Sequence, residues 1–306
     1  MGSNQKIAIV TGANGGIGSE ITKGLLKNDF HVVMACRHTG NGNKVKKQIL
    51  AELPDSQIEV MAIDLSNLDS VKSFAQEFKS KFQHLNLLIN NAGVLFNKPK
   101  RNKDNVEMHF ATNHLGHFLL TSLLIDLMPD SPSSRVVSLS SLAHKKAEIF
   151  FDDLNCEKQS KWDVPYAQSK LACLLFGDEL QRKLEAAGKK IISVSAHPGG
   201  TDSGLFDHMP KVFVTLMRYT FMPIFLHSTK NAAKPILKAA LDSNVKGGEY
   251  YGPTGLQEMK GVPGIATRTK YSLREDVASG LWDLSEKMTS TNFKIPANSP
   301  NGEVQL

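Results

Sequence analysis

Thr11-Gly12-Ala13-Asn14-Gly15-Gly16-Ile17-Gly18 is the stretch that decides how this chain folds. A short β-rich run at residues 7–10 precedes it, and a helical stripe of Ile21, Leu25 and Leu26 follows. Strand, glycine turn and helix, in that order, can present a helix N-terminus to a phosphate. The first N–H groups of a helix lack partners within it, and that end of its dipole is positive. Glycines let a ligand approach the backbone closely. Here they stand at 12, 15, 16 and 18, a spacing different from the GxGxxG fingerprint of dinucleotide-binding folds. Taken alone, the stretch also fits an ordinary tight turn.

Outward from the turn, apolar strand-like runs at 30–35, 58–63, 85–89, 135–139 and 191–196 alternate with helical patterns at 43–53, 67–83 and 166–187. Continuous apolar strands alternating with helices predict a parallel sheet buried on both faces. The expected fold is α/β: one Rossmann domain with a doubly wound parallel sheet of about seven strands. We find no repeat, low-complexity block or linker dividing residues 1–306. The core is expected at about 5–255, with a long connection over 142–165, a C-terminal extension at 256–306 and a mobile tail at 289–306. An insert at about 200–228 is rich in large apolar residues, among them Phe206, Met209, Phe213, Met217, Phe221 and Phe225. It fits a helix pair on the core, a lid over an apolar pocket, or a shallow membrane-surface contact. The lid is the working expectation.

Bulk properties narrow the class. With 41% hydrophobic and 22% charged residues, the 306-residue chain reads as a soluble globular protein with a sizeable core. Cys36, Cys156 and Cys173 are odd in number and lack CxxC spacing, which disfavours a disulfide framework or zinc site and fits a reducing compartment. The polar opening Met1-Gly2-Ser3-Asn4-Gln5-Lys6 is unlike a signal peptide, and no window nears the ~18 apolar residues of a membrane span. The expectation is a soluble, cytoplasmic protein. A net charge of +6 leaves nucleic acid open, but the basic run at 98–103 has no aromatic interleaving or recognition motif. Part of the charge can serve a polyanionic cofactor instead.

Tyr166 and Lys170, four residues apart, would share one helix face, and an ammonium beside a phenol favours the phenolate. Alone, the pair is also compatible with an ordinary surface pair. Thr11-Gly12-x-x-x-Gly16-x-Gly18, Asn90-Asn91-Ala92-Gly93, Ser140-Ser141, Tyr166-x-x-x-Lys170 and Pro198-Gly199 occur in register, with Asn113 inside Thr112-Asn113-His114-Leu115-Gly116-His117-Phe118. Over about 5–255 this resembles the short-chain dehydrogenases/reductases. Met34-Ala35-Cys36-Arg37, the Asn113 segment and Ala196-His197-Pro198-Gly199 look most like the retinol-dehydrogenase-like branch, a neighbour of the light-dependent protochlorophyllide reductases. Gly15 where Ser is usual, Ser138 where Asn is common, and no hydrophobic N-terminal anchor depart from that pattern.

The resemblance implies a catalytic tetrad of Asn113, Ser141, Tyr166 and Lys170. Tyr166 would exchange a proton with the substrate oxygen, and Lys170 would stabilise the phenolate and hold the nicotinamide ribose. Ser141 would hydrogen-bond the substrate oxygen, with Ser140 as its rival. Asn113 would keep a water in place. The implied cofactor residues are Thr11, Gly12, Asn14, Gly16, Ile17, Gly18, Asp64, Leu65, Asn91, Ala92, Gly93, Pro198 and Gly199, with Thr201 and Ser203 near the carboxamide. At the end of the second strand Cys36 replaces the acid of NAD enzymes and Arg37 follows, which favours NADP(H) over NAD(H) unless Arg37 pairs with a neighbouring acid. For Asp64, or Ser66, a cap on the next helix is an equal alternative. His114 and His117 read as structural, and no metal is expected. The implied function is hydride transfer to or from a fairly apolar carbonyl or alcohol (a retinoid, a steroid-like ketone, a lipid or xenobiotic aldehyde) by a homodimer or monomer. A cofactor-binding regulatory or scaffold protein, or a light-dependent pigment reductase, is the alternative.

Overall fold

Alternate residues of β1 (Lys6–Thr11) enter two different cores. Ile7 and Ile9 join one apolar cluster, Ala8 and Val10 the other. A strand buried this way lies mid-sheet with helices on both faces. The computed structural model describes residues 5–200 and 228–295. The chain runs β1, α1 (Gly16–Leu26), β2 (Phe30–Cys36), α2 (Thr39–Glu52), β3 (Ile58–Ala62), α3 (Leu68–Lys81) and β4 (Leu87–Asn90). A π-helical turn, Phe110–Leu115, leads into α4 (Gly116–Leu124), followed by β5 (Arg135–Leu139), α5 (Val164–Ala186) and β6 (Ile192–Ala196). Then come α6 (Thr229–Leu241), β7 (Tyr250–Pro253), β8 (Pro263–Ile265) and α7 (Glu275–Thr289).

The sheet order is β3-β2-β1-β4-β5-β6-β7-β8. Every pairing is parallel except β7 with β8. This is the expected doubly wound Rossmann sheet, with one short antiparallel edge strand beyond the seven foreseen. One core contains Phe74, Phe78, Phe118, Phe176 and Trp282, from α3, α4, α5 and α7. The other contains Leu25, Ile49 and Ile236, from α1, α2 and α6. The chain changes direction across the sheet between β1 and β4, so the loops after those strands part and leave a crevice at their carboxyl ends.

Two expectations meet the structure differently. The tail set apart at 289–306 is packed as far as residue 295: Phe293 is only 6% exposed and lies against Trp282 and Phe118. Residues 296–306, and the apolar insert expected at about 200–228 from residue 201 to 227, lie outside the described residues.

Candidate active site

The glycine turn closes one end of a cavity of about 900 Å³ at the β1/β4 crevice. Gly15 stands at the N-cap of α1 without any side-chain cap bond, and no acid occupies the first helical turn. The opening N–H groups and the positive end of α1 therefore face the cavity unshielded. Gly12 has φ +65, and a Cβ there would lie 2.9 Å from the Ala92 Cα. Conformation and contact both demand glycine at that position.

Thr11 works from behind the cavity. Its Oγ1 accepts the Asn91 N–H at 3.0 Å and the Ala92 N–H at 2.9 Å, while Asn91 Nδ2 donates to the Thr11 carbonyl at 2.6 Å. Thr11 thus braces the ends of β1 and β4. Gly12, Asn14, Gly16, Ile17, Gly18, Asn91, Ala92, Gly93, Pro198 and Gly199 all line the cavity. Thr201 and Ser203 lie outside the described residues.

At the adenosine end, Arg37, Asp64 and Leu65 also line the cavity. Arg37 is exposed and makes no ion pair with any described residue, so the alternative of a neighbouring acid is not met among them. Burial pushes the Cys36 thiol up to about 11, opposed by the Ala13 and Asn14 N–H groups that it accepts. The position taken by a carboxylate in NAD enzymes therefore holds a neutral thiol beneath the glycine turn. Asp64 accepts both the N–H and the hydroxyl of Ser66, at 3.0 and 2.7 Å. Neither caps α3. That role belongs to Asn67, whose side chain accepts the Asp69 N–H at 3.1 Å.

Tyr166, Lys170 and Ser141 line the other end. Pro165 is tolerated in the first turn of α5, where its missing N–H costs no hydrogen bond. Lys170 is 5% exposed, and its ammonium donates to the Leu139 carbonyl at 3.0 Å. Of the two serines, Ser140 is buried and donates to the Lys170 carbonyl at 2.8 Å. Ser141 faces the cavity and accepts the Ala143 N–H at 3.2 Å.

Asn113 lies on the π turn, fully buried. Its Oδ1 accepts the Val94 N–H at 2.8 Å, its Nδ2 donates to Ser169 Oγ at 2.9 Å, and its carbonyl accepts from His117 Nδ1 at 2.9 Å. Asn113 is thus a clasp in the wall. Asn113 and Lys170 both border Gly93: a Cβ there would fall 3.2 Å from Lys170 Nζ and 3.5 Å from Asn113 Oδ1. His114 bonds Ser285 through Nε2 at 2.7 Å. Among the described residues no three His, Cys, Asp or Glu side chains gather as metal ligands would.

Several lining residues had no signal in the sequence: Leu95, Leu142, Lys146, Trp162 and Met259. Met259 follows a turn in which Gln257 and Glu258, neither of them glycine, both adopt positive φ, at 48 and 58. The Met259 carbonyl accepts the Gly200 N–H at 3.0 Å, joining this turn to the Pro198-Gly199 loop. Burial would raise the Glu258 carboxyl. Instead, the facing His197 ring and bonds from Thr267 and Lys145 hold it well below the usual carboxylate range. Lys145 Nζ lies at 3.0 Å and the Thr267 N–H at 2.7 Å, while His197 Nε2 sits 3.3 Å away, off the line of a good hydrogen bond.

The family model described as short chain dehydrogenase matches residues 6–211. The chain belongs to the short-chain dehydrogenase family. Within it, this dehydrogenase is an oxidoreductase of the retinol-dehydrogenase-like branch. It is 36% identical to retinol dehydrogenase 11 of Homo sapiens over 92% of this chain and 84% of that protein. It is 35% identical to the chloroplastic short-chain dehydrogenase TIC 32 B of Brassica napus, over 93% and 88%. A crystal structure of an uncharacterised protein from Mycobacterium Paratuberculosis shares 32% identity and a TM-score of 0.79, covering 95% of this chain and 96% of that one. The Pseudomonas aeruginosa RhlG/NADP active-site complex shares the fold at TM-score 0.63. No helix among the described residues is long and apolar enough to cross a membrane.

Proposed function

We propose that this dehydrogenase interconverts an apolar carbonyl compound and its alcohol using NADP(H). The observation that carries the reading is one cavity with Arg37, free of ion pairs among the described residues, at one end and Tyr166, Lys170 and Ser141 at the other. The residues present fit a dinucleotide: an uncapped helix N-terminus and a glycine cradle suit its phosphates, and Arg37 beside a neutral Cys36 suits a 2′-phosphate. When bound, the cofactor supplies or accepts the hydride.

The chain's own groups then handle the oxygen and its proton. Tyr166 donates its phenolic proton to the substrate oxygen as negative charge grows there, and reclaims it in the reverse direction. The Lys170 ammonium favours the resulting phenolate. Ser141 donates a hydrogen bond to the same oxygen. Asn113 holds the wall through Val94 and Ser169. Leu95, Leu142, Trp162 and Met259 give the cavity an apolar surface, which suits a retinoid, a steroid-like ketone or a lipid aldehyde. Three buried free cysteines accord with a reducing compartment, and we place the protein in the cytoplasm.

The test is NADPH and NADH consumption against retinal, steroid ketones and aliphatic and aromatic aldehydes. Tyr166→Phe should lower kcat by at least ~10²-fold, the usual worth of a positioned acid–base group. Arg37→Leu should raise KM for NADPH tenfold or so, about one charge-assisted phosphate contact, and change KM for NADH little. Unchanged turnover in Tyr166→Phe would overturn the mechanism. NADPH binding without turnover on any substrate would favour a regulatory role.

A further inference from the structure

Behind the cavity wall runs a chain of hydrogen bonds to which the proposed reaction assigns no role. Its centre is His117 of α4, 3% exposed. Nε2 lies 2.9 Å from Thr11 Oγ1, and Nδ1 lies 2.9 Å from the Asn113 carbonyl. The direction of each bond follows from counting. Thr11 Oγ1 already accepts two amides, from Asn91 and Ala92. With both lone pairs filled, it can only give its one proton. The nearer acceptor is His117 Nε2 at 2.9 Å rather than the Ile89 carbonyl at 3.3 Å. The imidazole is then neutral, carries its proton on Nδ1, and donates it to Asn113. A protonated ring would push a third donor onto Thr11 Oγ1 and eject an amide of the Asn91-Ala92 pair. Burial independently depresses this imidazole to about 4. The Cys173 thiol, kept protonated by burial, donates to the same Asn113 carbonyl at 3.1 Å.

We infer that His117 is a positioning residue that sets the Thr11–Gly93 cradle and the Asn113–Lys170 wall in register. The inference rests on the hydride-transfer reading of the site. The two sides meet at Gly93, beside which stand Lys170 Nζ and Asn113 Oδ1. Each half of the imidazole serves one side.

Two substitutions separate the halves. An Asn can present an amide N–H in the place of Nδ1–H, keeping the bond to Asn113. A Gln can present its amide oxygen in the place of Nε2, keeping the bond from Thr11. His117→Gln is expected to lower kcat about tenfold while changing the NADPH Kd, read by fluorescence titration, far less. His117→Asn is expected to raise that Kd about tenfold with the smaller loss in kcat. A role in packing alone would move both quantities together in both variants, and that result, or no change in either, overturns the inference. Should neither variant fold, ¹⁵N spectra of the wild-type imidazole decide. A neutral ring protonated at Nδ1 near pH 7 supports the inference, whereas an Nε2–H or doubly protonated ring overturns it. Failure of the catalytic reading is seen separately, in Tyr166→Phe, since neither the Kd nor the spectrum depends on turnover.

Discussion

Gly93 and Lys170 are separated by barely the space of a methyl group. A Cβ at residue 93 would sit 3.2 Å from Lys170 Nζ, tighter than ordinary contact, yet against the free end of a flexible side chain. Gly93→Ala should therefore fold, with a thermal midpoint close to wild type, and lose at least ~10-fold in kcat through a displaced ammonium. Calorimetry beside steady-state kinetics checks both halves. The serines should divide the same way. Ser141→Ala should cost ~10²-fold in kcat with little loss of stability, as expected of a donor aimed at a developing oxyanion. Ser140→Ala, which strips the buried Lys170 carbonyl of a donor, should cost ~1–3 kcal/mol of stability. Equal kinetic losses in the two would contradict the geometry. At this scale Tyr166, Lys170, Ser141 and the glycine turn were legible because they come as short local patterns. Trp162 and Met259 were not, since they reach the cavity from loops that no pattern marks.

Helix α7 shows what an element adds beyond a motif. Trp282 stacks on Phe176 of α5 with ring centroids 6.0 Å apart, meets Phe118 edge-on at 5.0 Å, and is covered by Phe293 at 4.6 Å. The segment after α7 thus seals the core beneath the Tyr166/Lys170 helix. Phe293→Ala should cost ~3 kcal/mol or more, read by denaturant unfolding, as for other buried aromatics. A loss within ~0.5 kcal/mol would mean that the segment contributes nothing to the core. The polar composition around residue 293 concealed this, because one aromatic among Thr, Asn and Lys carries no period. The alternating strands and helices of the first two hundred residues were legible for the opposite reason, since most positions in each strand are apolar and recur strand after strand. The π turn at 110–115 also left no trace, because its wider ring depends on tertiary contacts such as those of Asn113 rather than on residue preference.

For the molecule as a whole, buried imidazoles dictate the response to acid. Burial depresses His114 to about 3 and His117 and His144 to about 4, and shifts His31 and His197 the same way. In the unfolded chain these rings take up protons near ~6.5. Below that pH the unfolded state binds more protons, so stability is complete above ~6.5 and drains away as pH falls toward 4. Each such histidine contributes up to ~1.4 kcal/mol per pH unit. Melting temperature should decline steadily from pH 6.5 to 4.5, and a flat profile there would contradict the burial. A different dependence, on composition of the medium rather than its acidity, follows from the start of α1. Gly15 brings no side chain to that helix end, and among the described residues no side chain caps it, which leaves its N–H groups open to a partner from solution. A dinucleotide held there acts on the fold by mass action, adding ~2.7 kcal/mol at a hundredfold excess over Kd. Nucleotide-depleted protein would then be the form most open to proteolysis, and the abundance of this chain would follow the supply of the molecule it binds.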